Sequence, residues 1–241
     1  MQVAFLLAIV FLAVFTQSLA GFGSALIAMG LLVPLLGIHT ATPLVAAITL
    51  LLEIFLVVYY REALKISHVW RLVAAAVIGI PLGVLFLKQI DEQVMMLLLG
   101  IVITSYALYA LLRFRLPRLE RPAWAYLFGV AAGMLGGAYN TSGPPVIIYG
   151  HCRRWSPSEF KGNLQGFFLI SSTLVAITHL AGGSFTPEIW HLFLLSLPAL
   201  GAGLFAGLQM EKRIQPAVFN WIVLGLLVVL GLRLIISFFV I

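Results

Sequence analysis

Two long apolar stretches of this chain are each interrupted by a short run of glycines, amides and small hydroxyls. The first is Gln17-Ser18-Leu19-Ala20-Gly21-Phe22-Gly23-Ser24, and the second is Gly136-Gly137-Ala138-Tyr139-Asn140-Thr141-Ser142-Gly143-Pro144-Pro145. Of the 241 residues 62% are hydrophobic and only 9% charged, against about 25% charged in a soluble domain. The chain is therefore expected in a lipid bilayer. There, irregular backbone persists only where it is buried in protein or lines a polar cavity. Paired interruptions at corresponding places in two halves mark the binding site of a secondary transporter.

A hydrocarbon core about 30 Å thick needs about 20 helical residues to cross. Six segments meet that length: Ala41 to Tyr60, Trp70 to Leu87, Gln93 to Leu112, Glu159 to Leu180, Ile189 to Leu208 and Ala217 to Val240. The regions Val3 to Leu36 and Ala123 to Gly150 hold the breaks, each either one broken span or a hairpin of two shorter helices. Charge separates the two. If each region crosses once, Lys and Arg divide evenly between the two sides. If each is a hairpin, Arg61, Lys65, Arg71, Arg113, Arg115, Arg118, Arg121, Arg153, Arg154, Lys161, Lys212 and Arg213 share one side, against Lys88 and Arg233. The positive-inside rule favours the hairpins and makes the rich side cytoplasmic.

The expected fold is thus an all-α polytopic membrane protein of the cell membrane. It is a single transporter domain over 1–241 with two inverted-topology repeats, 1–112 and 123–241, each a broken-helix hairpin plus three transmembrane helices. Both termini are expected to be extracytoplasmic. No Lys or Arg precedes the first apolar run, so the first helix is read as retained rather than cleaved. Echoes between the halves support the repeat. Pro81-Leu82-Gly83 answers Pro198-Ala199-Leu200-Gly201-Ala202-Gly203, and Lys88-Gln89-Ile90-Asp91-Glu92 answers Gln209-Met210-Glu211-Lys212-Arg213. The net charge of +6 sits in short loops between apolar runs, so nucleic acid is not expected as a partner. The lone Cys152 excludes an internal disulfide, and no metal or other cofactor is expected.

These residues resemble the sulfite exporter TauE/SafE family of membrane permeases. The resemblance rests on Gly21-Phe22-Gly23 with the apolar run to Pro34, on Ala46-Ala47-Ile48-Thr49, on Gly136-Gly137 through Pro144-Pro145, and on Phe160-Lys161-Gly162-Asn163-Leu164-Gln165. It covers nearly the whole chain. It implies transport of small sulfur-containing anions such as sulfite, sulfoacetate or other organosulfonates, or of related organic acids. One departure is Ser24-Ala25 after Gly23, where relatives often continue with glycine.

An anion that must also leave cannot be met by a tight permanent counter-ion. Helix N-termini offer an alternative, since their unpaired N–H groups and the macrodipole amount to roughly half a positive charge. If the second arm of each hairpin starts after the glycine turn, one N-terminus falls near Ser24 and the other near Ser142 or Pro144. Two such ends facing each other would cradle the oxyanion. Gln17, Ser18, Ser24, Asn140, Thr141 and Ser142 add side-chain donors, while Gly21, Gly23, Gly137 and Gly143 permit the turn and close approach. Isolated glycines also serve simply to pack membrane helices. Asn163 and Gln165 are placed to line the same cavity, although Gln165 equally suits an interhelical bond. Lys161 either draws the anion from the cytoplasm or snorkels at a helix end. Glu53, deep in an apolar run, is a candidate for a coupling proton, or it pairs with Arg61 or another helix. The tryptophans mostly flank spans, as an aromatic belt does.

Two rival functions stand beside the transporter. A passive anion channel can use the same hairpins. An intramembrane enzyme would need a nucleophile with its base, or clustered carboxylates or histidines, and scattered histidines with one cysteine speak against it. Gly201-Ala202-Gly203 with Gly207 serve either internal packing or a homodimer.

Overall fold

The computed structural model describes residues 2–112, 116–211, 213 and 216–240. Arg113, Arg115 and Lys212, which enter the charge asymmetry, lie outside them. The described residues form α1 (Gln2–Ala20), α2 (Ser24–Leu36), α3 (Ile38–Tyr60), a 3-10 turn (Arg61–Ala63), α4 (Ile66–Gln89), α5 (Glu92–Leu112), α6 (Trp124–Tyr139), α7 (Gly143–Cys152), α8 (Pro157–Ala181), α9 (Pro187–Met210) and α10 (Pro216–Val240). No strand occurs among them. The six expected spans are all single helices, and both broken regions divide where the glycine-rich runs lie. Among the described residues seven helices are long and apolar enough to cross a membrane, the added one being α1. The chain is a multi-pass membrane protein.

Local chemistry fixes the helix starts. Ser156 caps α8 by accepting the Glu159 amide, the Glu159 carboxylate returns to the Ser156 amide, and Pro157 occupies the first turn. This reciprocal box satisfies two otherwise orphaned donors, and proline costs nothing at a position without a helical partner. Thr186 and Pro187 open α9 in a similar way. The start of α3 is capped from a distance: Glu92 Oε1 accepts the Ile38 amide at 2.7 Å.

The helices form two compact units, one of Met1–Ile48, Gln89–Phe114 and Phe185–Ile241, the other of Thr49–Lys88 and Arg115–Ser184. Each draws on both halves of the sequence. In the first unit α1 packs along α9 and against α2, while α10 packs along α5. The close approach depends on missing side chains. An added Cβ at Gly203 or Gly207 of α9 would lie 2.8 Å from the carbonyl oxygen of Phe11 or Phe15 on α1. Gly203 and Gly207 therefore pack internally, whereas Gly201 meets nothing within 4 Å.

In the second unit α6 packs against α7 and α8, and α4 lies directly on α6. A Cβ at Gly133 of α6 would sit 2.7 Å from the Ala76 carbonyl oxygen, and one at Gly79 or Gly83 of α4 would collide with the backbone of α6. In lipid, where apolar faces gain nothing by meeting each other, such small-residue contacts are a principal source of helix association. The two units share a plan: each hairpin packs on the penultimate helix of the other half of the sequence, α1 on α9 and α6 on α4.

Candidate functional site

The first break lies within the first unit. Helix α1 closes as the Gly21 amide donates to the Gln17 carbonyl at 2.7 Å. The chain then turns through Gly21 (φ 86°) and Gly23 (φ 107°), left-handed backbone that favours glycine. At Gly23 the demand is conformational rather than steric, since an added Cβ would make only an ordinary contact, 3.5 Å from Thr16. The Gln17 side chain reaches across the turn. Its Oε1 accepts the Ser24 amide at 3.3 Å and also the Ser24 hydroxyl. The start of α2 is thus capped by an amide from the preceding helix, and Gln17 and Ser24 are joined to each other. Ser18, fully buried, lies on the face of α1 that meets Gly207, and its hydroxyl has no partner.

The second break lies within the second unit. Asn140 takes the left-handed conformation (φ 56°, ψ 13°). Its amide donates to the Gly136 carbonyl at 2.7 Å, and the Thr141 amide donates to the Leu135 carbonyl at 3.2 Å. This left-handed cap ends α6, as Asn can in place of Gly. Ser142 and Gly143 then begin α7. Prolines 144 and 145 carry no N–H, so the first turn of α7 has fewer donors than an ordinary helix start. The anion-binding capacity of this end rests on the Ser142 and Gly143 amides together with the side chains of Asn140, Thr141 and Ser142. Helix α7 is 10 residues long, about 15 Å at 1.5 Å per residue. That is half of a hydrocarbon core of about 30 Å.

Helix α8 sorts the remaining candidates by face. A Cβ on Gly143 would meet the Phe168 ring, and one on Gly136 would lie 3.9 Å from Val175. Residues 168, 172, 175 and 179 recur at helical spacing, so this face of α8 lines the second hairpin. Gln165, three residues before Phe168, lies on it and is fully buried. Asn163 does not. Its Oδ1 accepts the Lys65 amide at 2.8 Å, and its Nδ2 is buried without a partner. The neighbouring Gly162 and Gly166 press against Ala63 and Leu64. Asn163 thus fastens the α3–α4 connection to α8, helped by the ion pair of Lys65 with Glu159. Lys161 lies over the Tyr60 ring, 5.7 Å from its centroid. Glu53 is 2% exposed, inside a span.

Sequence reading passed over Ser171 and Ser172, and it offered His179 only as a proton relay with no partner nearby in sequence. Both serines are buried, and their hydroxyls donate to carbonyls of their own helix. His179 is 1% exposed, its ring beside the Gly137 backbone. The available signal was the spacing of these polar residues from Gln165 along one face.

Comparison with known proteins follows the same lines. The chain matches the family model described as sulfite exporter TauE/SafE over residues 6–234. It is similar to a probable sulfite/organosulfonate exporter TauE of Cupriavidus necator, with 28% identity across 90% of this chain and 88% of that protein. It is also similar to a probable inner membrane transporter protein TsaS of Comamonas testosteroni, with 24% identity across 68% of this chain and 72% of that protein. No solved structure matches it.

Proposed function

Since the chain belongs to the sulfite exporter TauE/SafE family and is a membrane transporter rather than an enzyme, we propose that it is a secondary transporter of small sulfur-containing anions. The substrate class is sulfite, sulfoacetate or another organosulfonate, in keeping with the name of the Cupriavidus relative. The anion is exposed alternately to each side of the membrane. The arginine-rich side is cytoplasmic, with both termini on the opposite side.

The observation that carries this reading is the second break. A left-handed turn at Asn140 ends one helix and starts another of only 10 residues, with hydroxyls and two remaining amides at the new helix start. Because that helix is too short to cross a bilayer, the break is read as lying at membrane depth. Polar backbone at that depth is costly unless it faces protein or a polar cavity, and such a helix start suits an oxyanion without holding it permanently. The shared packing plan of the two hairpins supports a matching role for the first break. There Gln17 already occupies part of the α2 start, so its amide must rotate away or present its NH2 group when the anion is held.

The test is flux in proteoliposomes. Radiolabelled sulfite and sulfoacetate should be taken up by the wild-type chain, with trans-stimulation by unlabelled substrate. Asn140→Gly, which keeps the left-handed turn, and Ser142→Leu should abolish uptake while the purified proteins keep their melting temperatures. Full uptake by both folded variants would overturn the site. Uptake without trans-stimulation would favour a passive channel on the same hairpins.

A further inference from the structure

We propose that the arginine-rich end of the second unit carries a separate binding site for a tetrahedral oxyanion, either free in solution or as a lipid headgroup phosphate. A small cleft opens there between the start of α4, the start of α6 and the end of α7. Ser67, His68, Arg71, Tyr149, Arg153 and Trp155 line it, and no lining residue is acidic.

Each part suits an anion. Helices α4 and α6 both begin at the cleft, so two positive dipole ends add to the two guanidiniums. Arg153 is braced: its Nη1 donates to the carbonyls of Leu119 at 2.8 Å and Glu120 at 2.9 Å. Its Nε and Nη2 groups remain as further donors, held in place without further loss of side-chain freedom. Arg71 is positioned by stacking, its guanidinium carbon 4.6 Å from the centroid of the Trp70 ring. Tyr149 lies within the field of both guanidiniums, and its phenol is a donor. His68, also in the lining, stacks parallel to Trp155 at 6.2 Å.

The cleft is distinct from the tip of the hairpin. Tyr149 is six residues beyond Gly143 on α7, about 9 Å along the helix axis. Planar forks of donors fixed in place recognise sulfate-like and phosphate-like groups with more specificity than mobile surface lysines do.

Phenylglyoxal modification of arginine, read by peptide mass spectrometry on the intact wild-type protein, tests the site. In detergent, millimolar sulfate or phosphate should slow the labelling of Arg71 and Arg153 at least fivefold. Arg118, whose side chain is 72% exposed, should be unaffected. Slowing by soluble anions identifies a free oxyanion as the ligand. Slowing only in nanodiscs of phosphatidylglycerol, and not in those of phosphatidylcholine, identifies the lipid headgroup. Arg71→Gln should weaken sulfate binding at least tenfold by titration calorimetry in a chain whose hairpin is blocked by Ser142→Leu. No protection by either source, equal protection of Arg118, or binding indifferent to Arg71→Gln would overturn the proposal. Because the labelling is read at Arg71 and Arg153, its failure is separable from failure at the hairpin tips.

Discussion

Gln17 and Ser24 are joined across the first break: the Gln17 carboxamide oxygen accepts both the amide and the hydroxyl of Ser24. One side chain thereby closes the turn and caps the next helix. Gln17→Leu should remove both bonds and leave two buried donors unmet, at a cost of about 1–3 kcal/mol, seen as a lower melting temperature. Gln17→Glu keeps the acceptor and places a negative charge at the positive end of α2, which favours the helix while repelling an anion. The glutamate variant should therefore keep its melting temperature and lose sulfite flux. Retained flux would remove the first break from the anion's path.

The place of the break was legible because Gly21 and Gly23 stand inside an otherwise apolar run. Which faces meet was not legible. In a bilayer both the packed and the lipid-facing sides of a helix are apolar, so periodicity does not report which neighbour a helix meets. That α1 lies on α9, and α6 on α4, depends instead on where glycines remove side chains, and such glycines look alike in sequence. Asn163 shows the same limit: its partner Lys65 is 98 residues away, so only its polarity, and not its clamp, was visible. Gln165 differs from it only by the face of α8 that it shares with Phe168.

The two amides can be separated by experiment. Asn163→Ala leaves the Lys65 amide without its acceptor and should cost about 1–2 kcal/mol, whereas Asn163→Asp keeps that acceptor. If Asn163 is only a clamp, the aspartate variant should fold and transport normally. Gln165→Leu, on the face that lines the second hairpin, should fold well and lose at least tenfold in flux. A flux loss in Asn163→Asp with normal melting would return that residue to the substrate path through its Nδ2 group.

The glycine contacts make a contrast between a packed and an open position. Gly83→Ala would drive a methyl group into the Met134 carbonyl of α6, and Gly201→Ala would enter open space. Overpacking of this kind costs about 1–3 kcal/mol, while alanine in an exposed helix interior gains up to about 1 kcal/mol over glycine. Thermal denaturation in detergent should therefore show a fall for Gly83→Ala and no fall for Gly201→Ala. A loss at Gly201 would mean that this exposed face is covered by a second copy of the chain, which size-exclusion chromatography with light scattering would reveal.

Glu53 tests whether transport is tied to protons. It is a carboxyl group 2% exposed within α3, and an ionisable residue inside a span serves either as part of a pathway or as one member of a buried pair. Glu53→Gln distinguishes these roles because it preserves shape and hydrogen bonding while fixing the group as neutral. If the carboxyl carries a proton with the anion, the variant should still exchange labelled for unlabelled substrate. An imposed pH gradient should then no longer drive accumulation. If Glu53 is instead the charged half of a buried pair, breaking that pair costs several kcal/mol, and the melting temperature and exchange should fall together. Flux measured with and without a pH gradient, alongside thermal denaturation of the same preparation, separates the two roles. Gradient-driven accumulation equal to that of the wild type would exclude Glu53 from coupling altogether.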